Sequence, residues 1–286
     1  MLDQRIIDLF DQFTHGVITR QEFMRRLTVF AGSTVAAMAI LPKLELDFAD
    51  ANTTAEAANE IETRYVEYES NGKKIKGYLA TPKKKKKRAG VVVIHENRGL
   101  NPHIEDVARR AALAGFTALA PDGLSPLGGT PADSDAARDL IGKLEQPVAI
   151  QLFKDGLEYL RKLPKATGKT GCVGFCWGGA MANSLAVNDP NLQAAVAFYG
   201  RQAAAEDVPK IKAALMLHYG ALDERVNAGI PAYEEALKKY NKAYQVFIYE
   251  SANHAFHNDT AGPRYDEKAA KLAWSRTIVF FEEKLK

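Results

Sequence analysis

The run Val91-Val92-Val93-Ile94 offers no polar side chain to water on either face. A half-exposed strand alternates apolar and polar residues, so a continuous run between Gly90 and His95 predicts a strand covered on both sides. The rest of the chain supplies the cover. From about Thr63, short β-rich runs alternate with helical periods. Arg64 to Glu69 and Ile75 to Ala80 flank a turn beginning Ser70-Asn71-Gly72, which predicts a hairpin. Further strands are expected at 90–95, 116–120, 171–175, 194–199, 214–219 and 245–249. Helices are expected at 101–114, 133–144, 148–163, 178–187, 228–240 and 266–286, the first opened by Asn101-Pro102 and stopped by Gly115. This alternation implies an α/β fold, a mostly parallel sheet with helices on both faces. Functional side chains in such sheets gather in the loops at the carboxyl ends of the strands.

The 286 residues, 47% hydrophobic and 26% charged, can bury a sizeable core without disulfides or structural metals. The net charge of +3 is a weak pull toward acidic partners. Much of it sits in the basic run from Lys83 to Arg88, which has no interleaved aromatics and reads as a solvated loop, so no nucleic-acid partner is expected. Cys172 and Cys176 flank a predicted strand end. At a rise of ~3.3 Å per residue their Cα atoms stand beyond the ~7 Å limit for a disulfide. The chain has no Gly-x-Gly-x-x-Gly, no P-loop and no zinc-ligand spacing, so no cofactor or metal is expected.

Residues 1–51 carry two readings. Thr19-Arg20-Gln21-Glu22-Phe23-Met24-Arg25 resembles a twin-arginine export motif with Gln21 in place of the second arginine, and Arg25-Arg26 follows. Leu27 to Leu41 is uncharged, too short for a stable membrane span but suited to a signal core, and Ala49-Asp50-Ala51 offers a cleavage site. The lack of a polar face on Leu27 to Leu41 favours this reading, which places the mature protein in the periplasm. The other reading is an N-terminal helical extension and a cytoplasmic protein. Ile6, Leu9, Phe10 and Phe13 recur at helical spacing, and Gly16 suits the helix end. Thr19 and Glu22 form a capping box, with Ile18 stapled on Phe23. Such a hairpin would dock on the main domain or on a second subunit, which leaves a homo-oligomer open. Residues 52–62 then read as a linker and 63–286 as the main domain.

The motif that carries chemistry is Gly174-Phe175-Cys176-Trp177-Gly178-Gly179, between a predicted strand and a predicted helix. A sharp strand-to-helix turn pushes the central side chain out of the sheet, and the helix amides beside it favour a thiolate and a developing oxyanion. A thiol nucleophile needs a base, and the base an orienter. Of the six histidines only His254 follows the last predicted strand closely, and Asp223 lies just past another strand end, with Glu224 its nearest rival. The order Cys176, Asp223, His254 is the nucleophile–acid–base order of α/β-hydrolases, in which the aspartate fixes the imidazole tautomer. His257 reads as a substrate contact or a surface residue.

With these residues and His95-Glu96-Asn97-Arg98-Gly99 after the central strand, the sequence resembles the dienelactone hydrolase family over roughly 63–286. The resemblance implies an acyl-enzyme route on a small-molecule ester or lactone. It also implies that Glu96 holds the resting thiol and takes its proton when substrate binds. The oxyanion hole would come from the backbone N–H groups of Trp177 and Asn97. The family's enzymes carry an arginine four residues after the catalytic histidine to grip a substrate carboxylate, and here that place is Asn258. Arg98, Arg201, Arg225 and Arg264 are candidate substitutes, and Tyr199, Trp177 and Phe256 candidate pocket walls. Two other functions compete. A redox thiol would need a resolving cysteine, and Cys172 sits on the wrong side of the elbow. A non-catalytic binding protein on the same scaffold would not acylate.

Overall fold

The computed structural model describes residues 4–14, 17–33, 36–37, 59–84 and 86–285. Its strands are β1 (Ile61–Ser70), β2 (Lys73–Pro82), β3 (Arg88–Ile94), β4 (Thr117–Pro121), β5 (Ala166–Phe175), β6 (Ala194–Phe198), β7 (Ala214–Gly220) and β8 (Tyr244–Tyr249). They form one sheet in the order β1-β2-β4-β3-β5-β6-β7-β8. The β1–β2 pair is the expected hairpin: Ser70 opposes Lys73, and Asn71 and Gly72 turn the chain with φ of 48° and 71°. β2 meets β4 antiparallel, and every later neighbour pair is parallel.

Parallel neighbours require crossovers, which the helices provide. Nine are described: α1 (Gln4–Thr14), α2 (Arg20–Ala31), α3 (Pro102–Leu113), α4 (Ser134–Lys143), α5 (Gln146–Lys162), α6 (Trp177–Asn188), α7 (Glu224–Asn227), α8 (Ile230–Lys239) and α9 (Glu267–Lys284). The sequence explains several starts. Asn101, Asp133 and Asp266 each accept a bond from a first-turn amide of α3, α4 and α9. Among the described residues no helix is long and apolar enough to cross a membrane.

In β3, Val91 and Val93 face a core built with α3 and α9, while Val92 and Ile94 face one built with α5, α6 and α8. All four side chains are buried, which explains the unbroken apolar run. Burial of each contributes about 1.5–3 kcal/mol. β5 starts at Ala166, well ahead of Gly171. Backbone pairing with Arg88 carries it through solvent-facing residues that have no apolar signature. Arg88 itself turns inward and is buried, unlike the solvated lysines before it.

The N-terminal residues form a helical hairpin. Thr19 caps α2 by accepting from the Glu22 amide, and the Glu22 carboxylate holds both Arg25 and Arg26. Ile6, Leu9, Phe10 and Phe13 of α1 pack on Phe23 and Leu27 of α2, with Ile18 against them. Gly16, residues 38–41 of the apolar stretch, Ala49-Asp50-Ala51 and most of the linker lie outside the described residues.

Phe281 is fully buried on α9, with its ring 5.9 Å from that of Phe116. Phe281→Ala is expected to cost about 3–5 kcal/mol of stability, read as a lower urea midpoint at unchanged slope.

Candidate active site

β5 ends at Phe175 and α6 begins at Trp177, so the whole change of direction falls on Cys176. Its backbone has φ 54° and ψ −113°, a conformation that costs an L-residue of order 1–3 kcal/mol. The surroundings hold it there: the Cys176 amide donates to the Phe198 carbonyl, and its carbonyl accepts from the Ala180 amide. The first turn of α6 also runs against the end of β3. A Cβ on Gly178 would lie 2.4 Å from the carbonyl oxygens of both Ile94 and His95, so glycine is required for this approach. Cys176 therefore stands at the N-terminal end of a twelve-residue helix whose amides favour negative charge.

The partner pair comes from the far side of the sheet. Asp223 follows β7, and His254 follows β8. Nδ1 of His254 donates to Oδ2 of Asp223 at 2.5 Å, and Oδ1 of Asp223 accepts from the Val226 amide at 3.2 Å. The carboxylate is thus fixed by two bonds, and in turn fixes the imidazole tautomer. Burial opposes protonation of His254, but the carboxylates of Asp223 and Asp11 outweigh it despite Arg225, and its pKa lies above that of a free imidazole. The loop bearing His254 packs on the end of β7 through Gly220, where a Cβ would meet the carbonyls of Ala252 and Asn253 at 2.5 and 2.7 Å.

Cys176 and His254 line one cavity of about 750 Å³, together with Asn97, Trp177, Tyr199 and Arg201. Arg225, Arg138 and Val17 complete much of the remaining wall. Behind it sits Glu96. Its Oε1 accepts from the Tyr199 hydroxyl at 3.2 Å and its Oε2 from Asn258 Nδ2 at 2.6 Å. Burial, then Glu96 and Cys176, push the Tyr199 phenol well above its ordinary pKa, so it stays a donor. Asn258 is buried and its Oδ1 accepts from both the amide and the hydroxyl of Thr260. The place held in the family by a substrate-gripping arginine is here a tether for Glu96.

His95 organises the adjoining loop. Its Nε2 accepts from the Gly123 amide at 3.0 Å, so Nδ1 carries the proton and donates to the Glu96 carbonyl at 2.6 Å. The ring stacks on Trp177 at 5.3 Å, and burial lowers its pKa, which keeps it neutral. The stretch carrying Glu96 and Asn97 is thereby tied both to the loop after β4 and to the elbow.

Two expected substrate contacts lie elsewhere. Arg98 is buried and turned away, bonded to Ser134 Oγ at 3.1 Å and Asp135 Oδ1 at 2.7 Å. His257 is buried, not on the surface, and is not among the cavity walls. It is enclosed by Phe175, Phe198, Trp274 and His103, and burial holds its pKa well below the ordinary value. Phe256 is also fully buried and is not among the cavity walls. Cys172 belongs to the core on the sheet face opposite Val173 and Phe175, and burial pushes its pKa up. Sequence reasoning passed over Arg138 of α4, and also Asp11 and Val17, whose approach to the site depends on how the hairpin docks.

A mostly parallel eight-stranded sheet, a strained strand-to-helix elbow after β5 and an Asp–His pair in the loops after β7 and β8 define an α/β-hydrolase fold. The chain belongs to the dienelactone hydrolase family, whose profile matches residues 75–285, and it is an ester or lactone hydrolase acting on small molecules. A second profile, YqhI-like, matches residues 2–32. A Saccharolobus solfataricus protein named carboxymethylenebutenolidase is 32% identical over 249 residues, 74% of this chain and 95% of that one. A Klebsiella pneumoniae structure solved under the name of dienelactone hydrolase superposes with a TM-score of 0.72 at 26% identity, over 78% of this chain and 99% of that one. A dienelactone hydrolase-like promiscuous phosphotriesterase from metagenomic libraries gives 0.70 at 27% identity, over 79% and 100%.

Gly220→Ala should push the His254 loop off the end of β7. A displacement of about 1 Å there is expected to lower kcat/KM on an activated ester on the order of 10²-fold, with little change in far-UV circular dichroism.

Proposed function

We propose that the protein hydrolyses a carboxylic ester or lactone through a thioester on Cys176. The observation that carries this reading is a buried Asp223–His254 hydrogen bond whose imidazole lines the same cavity as Cys176, which stands at a helix N-terminus. With Nδ1 of His254 committed to Asp223, Nε2 takes the thiol proton and Sγ attacks the carbonyl carbon. The amides of Trp177 and Asn97, both on the cavity wall, donate to the resulting oxyanion. Collapse breaks the carbon–oxygen bond, and the proton on His254 passes to the departing alkoxide. A water then attacks the thioester, His254 accepts its proton, and the carboxylic acid leaves as Sγ regains a hydrogen.

Glu96 is the resting-state acceptor within this reading, and the single thiol proton passes from it to Nε2 of His254 before the leaving group departs. Bonds from Tyr199 and Asn258 hold its carboxylate beside the elbow, in place to receive the resting thiol's proton. The raised pKa of His254 serves the first step, because the imidazolium formed there is stabilised by Asp223. Arg201, on the cavity wall with its carbonyl anchored by Asn183 Nδ2 at 2.9 Å, supplies a positive charge for an anionic substrate group. Carboxymethylenebutenolidase, the name carried by the Saccharolobus relative, denotes such a lactone carboxylate, which makes carboxylated lactones the first substrates to try.

Cys176→Ala is expected to abolish turnover of activated esters and to prevent the acyl adduct that intact-mass spectrometry should find on the native protein. Undiminished turnover in that variant would sink the proposal. Asp223→Asn should retain the fold and lose on the order of 10² to 10⁴ in kcat/KM.

A further inference from the structure

The N-terminal hairpin enters the site from outside residues 75–285, the span that matches the dienelactone hydrolase family. Its docking is specific. Arg264, in the segment after β8, is buried, and the hairpin supplies its counter-ion: Asp11 of α1 at 3.6 Å, with the Phe10 ring 5.1 Å beneath the guanidinium. A buried guanidinium stripped of its carboxylate would be strongly destabilising, so this contact is part of how the main domain is built. Arg225 reaches the same carboxylate at 3.5 Å, Arg138 lies over Phe13 at 5.0 Å, and Arg20 of α2 pairs with Asp135 at 3.2 Å.

Asp11 is held by these arginines against the Asp223–His254 pair. Carboxylate and imidazole atoms of all three lie within 4.8 Å of one another. In the turn between α1 and α2, Val17 stands at the outer edge of the cavity that contains Cys176, and is 60% exposed. We propose that the hairpin is a wall of the hydrolytic site, in which Asp11 is a positioning residue for His254 and Val17 a specificity-determining residue at the mouth. This rests on the Cys176–His254–Asp223 reading.

The charges that face His254 give the sign. Asp223 from the loop after β7 and Asp11 from α1 favour its imidazolium, while Arg225 at the start of α7 opposes it. Arg264 sits beyond Asp11, and Cys176, Tyr199 and Glu96 close the opposite side. Neutralising Asp11 removes one favourable charge and leaves Arg225 and Arg264 uncompensated. Both changes lower the imidazole pKa.

The test uses the full chain with Asp11→Asn, Asp11→Glu and Val17→Trp. The His254 imidazole is titrated by NMR on ¹⁵N-histidine-labelled protein, and kcat/KM is measured on p-nitrophenyl esters from acetate to octanoate. Asp11→Asn should move the imidazole midpoint to lower pH and reduce kcat/KM on the order of 3- to 10-fold, with Asp11→Glu restoring most of both. Val17→Trp should change the octanoate-to-acetate ratio of kcat/KM on the order of 10-fold. An imidazole midpoint unmoved by Asp11→Asn, even with a lower melting temperature, overturns the positioning role. An unchanged chain-length ratio in Val17→Trp overturns the specificity role. Failure of the parent reading looks different: Cys176→Ala would then keep its turnover, while the effect of Asp11 on the imidazole would persist.

Discussion

The first turn of α6 passes the end of β3 with no room for a side chain. That contact sets where the Cys176 sulfur stands, where the Trp177 amide points, and how near the loop carrying Glu96 and Asn97 can come. Because Gly178 lies against two backbone carbonyls, none of these positions can relax by a rotamer change. The strained backbone of Cys176 is tolerated because hydrogen bonds from β6 and α6 over-determine it. A side chain held this way has little conformational freedom left to lose, which suits the nucleophilic role proposed for it.

Around this rigid point the titratable groups divide into two sets. Asp223 and Asp11 act on His254, with Arg225 and Arg264 balancing the second carboxylate. Glu96 is held apart by Tyr199 and Asn258, one donor on each oxygen. His95 and His218 are locked as neutral rings by paired hydrogen bonds and burial, with His218 pushed down to about 3. Histidines are abundant near the sheet, yet their environments separate His254, favoured as an imidazolium by its carboxylates, from His95, His218 and His257, which burial disfavours in that form.

Much of the architecture was legible because its signals are local. The valine run of β3, the Asn71-Gly72 turn, the Asn101 cap and the Gly-x-Cys-x-Gly elbow each depend on a few adjacent residues. Cys176, Asp223 and His254 were legible by their order and by strand ends. What sequence could not give was direction. Arg98 adjoins Asn97 in the chain yet turns to Asp135, and His257 follows a cavity loop but points into a cluster of rings. The early start of β5 was invisible because its first residues, Ala166 to Lys169, carry no apolar pattern and enter the sheet through backbone pairing of Ala166 with Arg88. At the N-terminus, the Arg25-Arg26 pair that suggests export is engaged by Glu22 of the same helix, and the apolar residues nearby form the hairpin's own core. Asp11 lay hidden because its own partners, Arg225 and Arg264, are more than two hundred positions away.

That last separation bears on assembly. The hairpin leaves the ribosome before its docking groups, which lie in α4, at the start of α7 and beyond β8, so it must wait for all three. Its aromatic residues can pair with one another in the meantime, since Phe13 and Phe23 stack at 4.9 Å within the hairpin itself. The hairpin is therefore seated late, and the cavity acquires its final shape only once the segment carrying Arg264 has been made.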